Sequence, residues 1–281
     1  MTKTLYLDCF SGISGDMTVA ALLATGVSFD ELQEELKKLG MNKEYELIVK
    51  QVNKNGITSY KFDVLYEESK HADHHHSHEH SHHHDSDTHE HSHSHYHGHS
   101  HHHSHEHHHH HRTYKDIVSM INESELSNKT KEMALEMFKG IGQAEAKIHG
   151  QSLDDVHFHE VGAIDSIIDI VSVAILIDKL EIEKVIASHI PVGSGHIHID
   201  HGTYPVPAPA TLEILKGVPI KKSSLKGELT TPTGAAIIKV LVKEFSLGMP
   251  DLIVSEIGYG AGTKTFKEHP NVLRAVIGTS K

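Results

Sequence analysis

The sequence has few of the features that mark secreted or membrane-spanning proteins. Its 281 residues include one cysteine, no tryptophan and only 5% aromatic residues. The single cysteine, Cys9, excludes an internal disulfide, and within its apolar segment we interpret it first as a packing residue. No apolar run reaches the length of about 18 residues that a membrane span needs, and the opening residues lack a signal peptide's apolar core. We therefore expect a cytoplasmic protein that does not enter a membrane.

Positive charge is also scarce. The chain carries 26 Lys and Arg against 38 Asp and Glu, which gives a formal net charge of −12. A nucleic-acid partner would require a basic stripe to neutralise phosphates, so this balance argues against one. Hydrophobic residues make up 37% of the chain and are mainly aliphatic, a composition that favours helices packed on a sheet.

The order of the predicted elements indicates an α/β or α+β fold, a mixed sheet flanked by helices with a disordered His-rich insertion. Alternation of apolar residues predicts strands, and the helical period predicts helices. The predicted strands are 4–10, 45–52, 57–66, 185–190, 252–257 and 272–277. The predicted helices are 17–23, 114–122, 129–149, 164–180, 207–215 and 231–244, with one more between Ser28 and Gly40. We divide the chain into an N-terminal part at 1–70, the insertion at 71–111 and the remaining core at 112–281.

Histidine is the residue that the sequence has in excess. Of the 32 histidines, only eight lie outside residues 71–111, and Ser, Asp and Glu fill most gaps between the others. Neutral imidazole binds Ni²⁺, Zn²⁺ and Cu²⁺, and a segment with almost no apolar residue cannot bury a core. We interpret this histidine tract as an exchangeable metal reservoir. Its predicted metal ligands include His74, His75, His76, His78, His80, His101, His102, His103, His107, His108 and His109.

Two other interpretations of the tract stay open. A purification tag would be a pure run at a terminus, whereas this tract is internal and contains acids such as Glu79 and Asp85. A pH-sensing linker is the second, because histidines with a pKa of about 6.5 would gain charge together on acidification. We favour metal binding, and affinity order alone does not select nickel among the metals that accept imidazole.

Two glycine-rich segments could hold an anion. The first joins a predicted strand to a helix, and its small residues offer backbone amides at the helix N-terminus. We predict that it binds a cofactor phosphate through Ser11, Gly12, Ser14 and Gly15. Asp16 is predicted to be catalytic, and the alternative is a tight turn in which Asp16 caps the helix. The second segment is a predicted loop with the candidate residues Gly258, Gly260 and Gly262, which could equally form only a turn.

Two histidine pairs lie beside carboxylates in the second half of the chain. His157 and His159 alternate along an extended segment, so both rings face one side, and Glu160 follows directly. We predict that these three residues are catalytic. A second pair with the same spacing supplies the predicted metal ligands His196, His198 and His201. Either pair alone is more often a hydrogen-bonded structural feature, whereas the two together favour a functional site.

The sequence resembles the LarC family of nickel insertion proteins. Four segments in the same order carry the resemblance: LYLDCFSGISGDM, HFHEVGAIDSIIDIV, TTPTGAAI and GYGAGTKTFKEHPNVLR. A His-rich insertion after the first predicted hairpin is a further common feature. The resemblance covers nearly the whole chain outside the tract.

This resemblance implies a nickel chelatase, or cyclometallase, of the lyase class. Such proteins insert Ni²⁺ into pyridinium-3,5-bisthiocarboxylic acid mononucleotide, forming two Ni–S bonds and one Ni–C bond, to make the nickel-pincer nucleotide cofactor of lactate racemase. They consume CTP with Mn²⁺ or Mg²⁺. Forming the Ni–C bond requires a base for the ring proton, for which His157, His159 and Glu160 are the candidates.

Members of the family also carry a further, C-terminal domain associated with CTP. The resemblance therefore implies a C-terminal LarC polypeptide as a partner and apo lactate racemase as the recipient of the cofactor, and a homo-oligomer is left open. Two alternatives belong to other classes. One is a nickel storage protein or metallochaperone without catalysis, and the other is a metal-dependent phosphohydrolase that uses the histidine–carboxylate cluster.

Overall fold

The computed structural model describes residues 1–66, 112–156, 158, 164–199 and 202–280. The predicted histidine tract lies outside the described residues. The same holds for the predicted catalytic residues His157, His159 and Glu160, and for His201.

The described residues contain one large sheet and three small two-stranded sheets. The strands are β1 Thr2–Asp8, β2 Glu46–Lys54, β3 Ile57–Leu65, β4 Lys184–Ser188, β5 Ile190–Pro191, β6 Gly193–Ser194, β7 His196–Ile199, β8 Gly202–Pro205, β9 Ile220–Lys221, β10 Gly227–Glu228, β11 Glu244–Ser246, β12 Ile253–Ala261 and β13 Val272–Ser280. The large sheet has the order β11-β4-β1-β13-β12-β3-β2, and the small sheets pair β10 with β6, β5 with β9 and β7 with β8.

The large sheet is mixed, as the sequence predicts. Strand β1 runs parallel to β4 and antiparallel to β13, while β12 runs antiparallel to β13 and parallel to β3. Strand β1 is therefore an interior strand, paired on both sides. Its side chains alternate between two faces: Leu5 and Leu7 join the main core with the helices, and Tyr6 packs with Ile186 and Val276 in a smaller cluster.

The helices of the described part pack around this sheet. They are α1 Gly15–Leu23, α2 Phe29–Lys37, α3 Tyr114–Glu123, α4 Asn128–His149, α5 Ile164–Lys179, α6 Pro209–Ile214 and α7 Pro232–Leu241, with a 3₁₀ turn at Leu153–Asp155. Ser28 and Glu31 form the predicted capping box of α2. Helices α1 and α5 are buried over most of their surface, which explains their apolar sequences.

Helix α1 lies unusually close to strand β12 because two glycines have no side chain there. A Cβ atom added at Gly260 would lie 1.9 Å from the carbonyl oxygen of Met17, and one at Gly258 would lie 2.0 Å from that of Ala21. The prediction of a loop at residues 258–262 was therefore wrong for residues 258–261, which belong to a strand. Gly258 and Gly260 belong to strand β12, and their small size serves helix packing.

Other helix and strand boundaries also differ from the predicted ones, for physical reasons. The predicted strand 4–10 begins and ends two residues earlier, since the chain turns into the glycine loop after Asp8. The helix predicted from residue 207 begins at Pro209, because Ala208 is extended at the N-cap position and proline suits the first position of a helix. The helix predicted to run to residue 244 ends at Leu241, and Glu244–Ser246 instead pairs with β4 as an edge strand.

Within the described part of the chain, no helix combines the length and the apolar character needed to cross a membrane.

We predict that Gly260→Ala destabilises the fold by about 3 kcal/mol, because the new methyl group must push the α1 backbone away from β12. Gly140→Ala is the matched control. Gly140 lies within α4 with open space around it, so the same added methyl group should raise the free energy of unfolding by about 0.5–1 kcal/mol. Urea denaturation of both variants measures the difference. A Gly260→Ala variant as stable as the parent would show that α1 and β12 are not in close contact.

Candidate functional site

A cleft of about 640 Å³ opens where three helix N-termini meet the β2–β3 hairpin. The first turns of α1, α5 and α7 form one side, and the hairpin forms the other. The cleft is lined by Ser14, Gly15, Asp16, Ile48, Lys50, Lys61, Phe62, Asp63, Val64, Leu65, Asp165, Ser166, Asp169, Glu228, Thr231, Pro232, Thr233 and Thr263. Its size is that of a site for a small molecule.

A buried lysine holds two carboxylates of the cleft in place. The Nζ atom of Lys61 lies 2.7 Å from Asp16 Oδ2 and 2.9 Å from Asp63 Oδ1, and the Lys61 side chain is only 10% exposed. Lys50 Nζ approaches the second oxygen of Asp63 at 3.1 Å. Burial alone would lower the pKa of Lys61, but the attraction of Asp16 and Asp63 outweighs it, so the pKa is raised. Lys61 therefore stays charged.

A second group of carboxyls, Asp165 and Asp169, forms no ion pair within the described part of the chain. Asp169 lies on buried helix α5 and is 9% exposed, and its Oδ1 has no hydrogen-bond partner within the described part of the chain. The backbone N–H of Asp16 donates to this carboxyl. Burial, together with the charges of Asp16 and Asp165, raises the pKa of Asp169 well above the usual range. Burial also raises the pKa of Asp165, with Asp16 contributing.

The rim of the cleft supplies hydrogen-bond donors. Thr231 caps α7 and accepts the N–H of Gly234 at 3.2 Å, and its hydroxyl also pairs with that of Thr233 at 2.8 Å. Ser14 caps α1, and its hydroxyl donates to Asp16. The positive ends of the helix dipoles and the hydroxyls of Thr231 and Thr233 favour an anion at the rim. The cleft thus offers groups that can bind an anion and groups that can bind a cation, and a single small molecule could contact both.

Three residues of the predicted phosphate loop line this cleft: Ser14, Gly15 and Asp16. The other two are occupied elsewhere. The buried hydroxyl of Ser11 donates to the carbonyl of Pro270 at 2.6 Å and lies 2.7 Å from His269 Nε2. Gly12 has a φ of +97° and packs against the backbone of Leu229, so a side chain does not fit there. Ser11 and Gly12 therefore anchor the loop.

The remaining predicted residues of the described part lie away from the cleft. His196 and His198 stand exposed on β7, and His198 Nδ1 lies 3.4 Å from the hydroxyl of Thr203 on β8. Gly262 packs near Asn271 and Met17. Their binding roles stay predictions. In the described part of the chain, no group of three His, Cys, Asp or Glu side chains is arranged to hold a metal ion.

Lys61, Asp63 and Asp169 were not among the residues predicted from the sequence. A signal for Asp169 was present, because it is a carboxylate within a predicted helix that is otherwise nearly all apolar. Such a residue costs stability unless it has a partner or a function. Lys61 and Asp63 alternate along β3 and so share one face, but the sequence does not reveal what that face meets.

Comparisons with known proteins agree with the resemblance. The family described as nickel insertion protein matches residues 5–281. The chain is 48% identical over 276 residues to the pyridinium-3,5-bisthiocarboxylic acid mononucleotide nickel insertion protein of Geobacillus kaustophilus, covering 98% of this chain and 60% of that protein. The protein of the same name from Clostridium acetobutylicum is 49% identical, with coverages of 98% and 64%. No solved structure matches the chain.

The chain belongs to the nickel insertion protein family. It spans about 60% of the length of the curated relatives it matches. The cleft lies within the matched region, and all of its lining residues fall between positions 14 and 263.

We predict that Asp169→Asn makes the fold more stable at neutral and mildly alkaline pH. A carboxyl whose pKa is raised by folding contributes stability below its unfolded pKa and loses it as the pH rises through the folded value. The asparagine variant has no such loss, and it keeps an oxygen for the N–H of Asp16. Its advantage over the parent should therefore grow from about pH 5 to about pH 8 in urea denaturation. Asp251→Asn, an exposed control, should show no such trend. If the free energy of unfolding of the parent rises relative to that of the Asp169 variant with increasing pH, the prediction is contradicted.

Proposed function

We propose that this chain carries the nickel insertion site for pyridinium-3,5-bisthiocarboxylic acid mononucleotide. The observation that carries the proposal is the cleft, whose lining combines donors for an anion, carboxylates for a cation and apolar side chains. The named substrate of the relatives has the matching parts: a phosphate, a positively charged pyridinium ring and two anionic thiocarboxylates.

Each part of the substrate has a counterpart in the cleft. Ile48, Val64 and Leu65 offer an apolar surface for the flat ring. The N-termini of α1 and α7, with their hydroxyls, suit the phosphate. The carboxylates near α1 and α5 suit the positive charge of the ring. Lys50 and Lys61 lie on the hairpin side, where they would attract the thiocarboxylates.

The histidine tract fits this proposal as a source of nickel. It follows strand β3 in the sequence, and Leu65 at the end of that strand lines the cleft. Tethering raises the effective concentration of bound nickel near the cleft. Soft thiocarboxylate sulfur would then draw nickel from imidazoles that hold it reversibly. His196, His198 and His201 are proposed as further nickel ligands, which would bind the ion between its release from the tract and its insertion.

The predicted catalytic residues have separate roles in this proposal. Asp16 holds Lys61 and the first turn of α1 in position. His157, His159 and Glu160 directly precede α5, whose first turn lines the cleft, so they are proposed to act at its mouth. The N-terminal glycine loop is proposed as the phosphate site, through Ser14 and Gly15.

The proposal includes CTP, with Mn²⁺ or Mg²⁺, as the family resemblance implies. We assign no described residue to that metal ion, because no three suitable side chains converge in the described part. The C-terminal part that the relatives carry is proposed to bring the CTP site, as a partner polypeptide. Apo lactate racemase is proposed as the recipient of the product, with the cytoplasm as the place of reaction.

Deleting residues 71–111 should remove most bound nickel and leave the fold intact, because the tract has almost no apolar residue to contribute to a core. Equilibrium dialysis measures nickel per chain, and urea denaturation without metal measures stability. A loss of metal-free stability beyond about 1 kcal/mol would contradict the reservoir interpretation.

Lys61→Met should reduce nickel insertion by about 10²-fold or more, because Asp16 and Asp63 would lose the cation that positions them. Bulk nickel binding by the tract should not change. The assay follows formation of the nickel-pincer nucleotide from Ni²⁺, CTP and the thiolated nucleotide, with and without the C-terminal part of a relative. Lys37→Met, which removes an exposed lysine of α2, is the control and should insert nickel at the parent's rate.

The same assay separates the alternatives. A storage protein or metallochaperone would leave both CTP and the thiolated nucleotide unchanged in every mixture. A phosphohydrolase would release phosphate from simple esters without either compound. Insertion by Lys61→Met at the parent's rate would place the reaction away from this cleft.

A further inference from the structure

Asp169 is held in an environment that its structural role does not explain. One part of the carboxyl packs against the first turn of α1, where a Cβ added at Gly15 would lie 2.5 Å from Oδ2. The N–H of Asp16 donates to the same carboxyl. An asparagine would serve this capping role equally well and would avoid burying an acid. The retained acid, with Oδ1 unpartnered in the described part, therefore requires another reason.

Three of the four other acids that line the cleft are engaged by neighbouring groups. Asp16 accepts from Ser14 and pairs with Lys61, and Asp63 lies between Lys61 and Lys50. Asp165 Oδ1 accepts the backbone N–H of Ser166 at 2.8 Å. Among the described acids that line the cleft, Asp169 is the most deeply buried, and its Oδ1 is a buried oxygen without a hydrogen-bond partner.

The proposed reaction releases one proton inside the cleft. The two thiocarboxylates sit at ring carbons 3 and 5, so nickel held by both sulfurs faces ring carbon 4. When the carbon–nickel bond forms, the carbon–hydrogen bond breaks and its electron pair remains on carbon. Nickel stays Ni²⁺ throughout, and the proton must pass to a base.

We propose that the carboxylate of Asp169 is the base that accepts the proton from ring carbon 4. This assignment rests on the proposed function. It accounts for an acid at the floor of the cleft, facing Asp16 from α1, Asp165 from its own helix and Lys61 from β3. The raised pKa of Asp169 agrees with it, because its ionised carboxylate is a stronger base than an exposed aspartate and accepts a proton more readily.

The test uses substrate deuterated at ring carbon 4, in the insertion mixture with the C-terminal part of a relative. The parent should lose the deuterium as product forms. Asp169→Asn should bind nickel and the nucleotide but form product about 10²- to 10⁴-fold more slowly, with the deuterium retained in the unreacted nucleotide. Mass spectrometry follows the label, and circular dichroism confirms that the variant folds. Asp251→Asn should behave as the parent.

A second variant separates chemistry from capping. Asp169→Ala should be inactive and should regain part of its rate with added formate, because a small carboxylate can enter the space and accept the proton. If Asp169 only capped a helix, added formate would not restore the rate of product formation. If Asp169→Asn forms product, or loses deuterium from ring carbon 4, as fast as the parent, the assignment is overturned and His157 and His159 become the candidates for the base. A parent that makes no product in any mixture would instead overturn the proposed function, and this role with it.

Discussion

The cleft depends on how closely helix α1 lies against its neighbours. Strand β12 allows this approach because Gly258 and Gly260 present no side chain to the helix backbone. On another side, Gly15 leaves room for the carboxyl of Asp169 on α5. A displacement of α1 by the width of one methyl group would separate Asp16 from Lys61, since their ion pair spans only 2.7 Å. The packing of glycines therefore controls the electrostatics of the cleft.

The cleft combines groups that are costly to bury. Carboxylates, lysines and helix N-termini share a small volume, and the charges are balanced in part by the Asp16–Lys61–Asp63 network. Asp169 stands outside that balance, and its raised pKa reflects the energy of placing an acid there. Proteins retain such residues at functional sites more often than elsewhere, because a buried acid otherwise reduces stability.

The proposed function links this cleft to the histidine tract through one structural element. Strand β3 carries Lys61 and Asp63 into the cleft, and the chain continues from its end toward residues 71–111. Arg112, directly after the tract, pairs with Glu44 at 2.7 Å. The described residues on either side of the tract, Tyr66 and Arg112, thus belong to the folded core, and Leu65 at the end of β3 lines the cleft. Storage of nickel and its insertion would then be separate functions of one chain.

The sequence by itself determined the fold class, most helices and strands, and the family. Periodicity located α2 through its capping box and α5 through its apolar run, because these signals are local. Tertiary structure alone decided that Asp16, Lys61 and Asp169 meet, since they lie far apart along the chain and come together by packing of α1, β3 and α5. It also placed Gly258 and Gly260 in a strand. A glycine in a turn and one beneath a helix look alike in sequence, and only the neighbouring backbone distinguishes them.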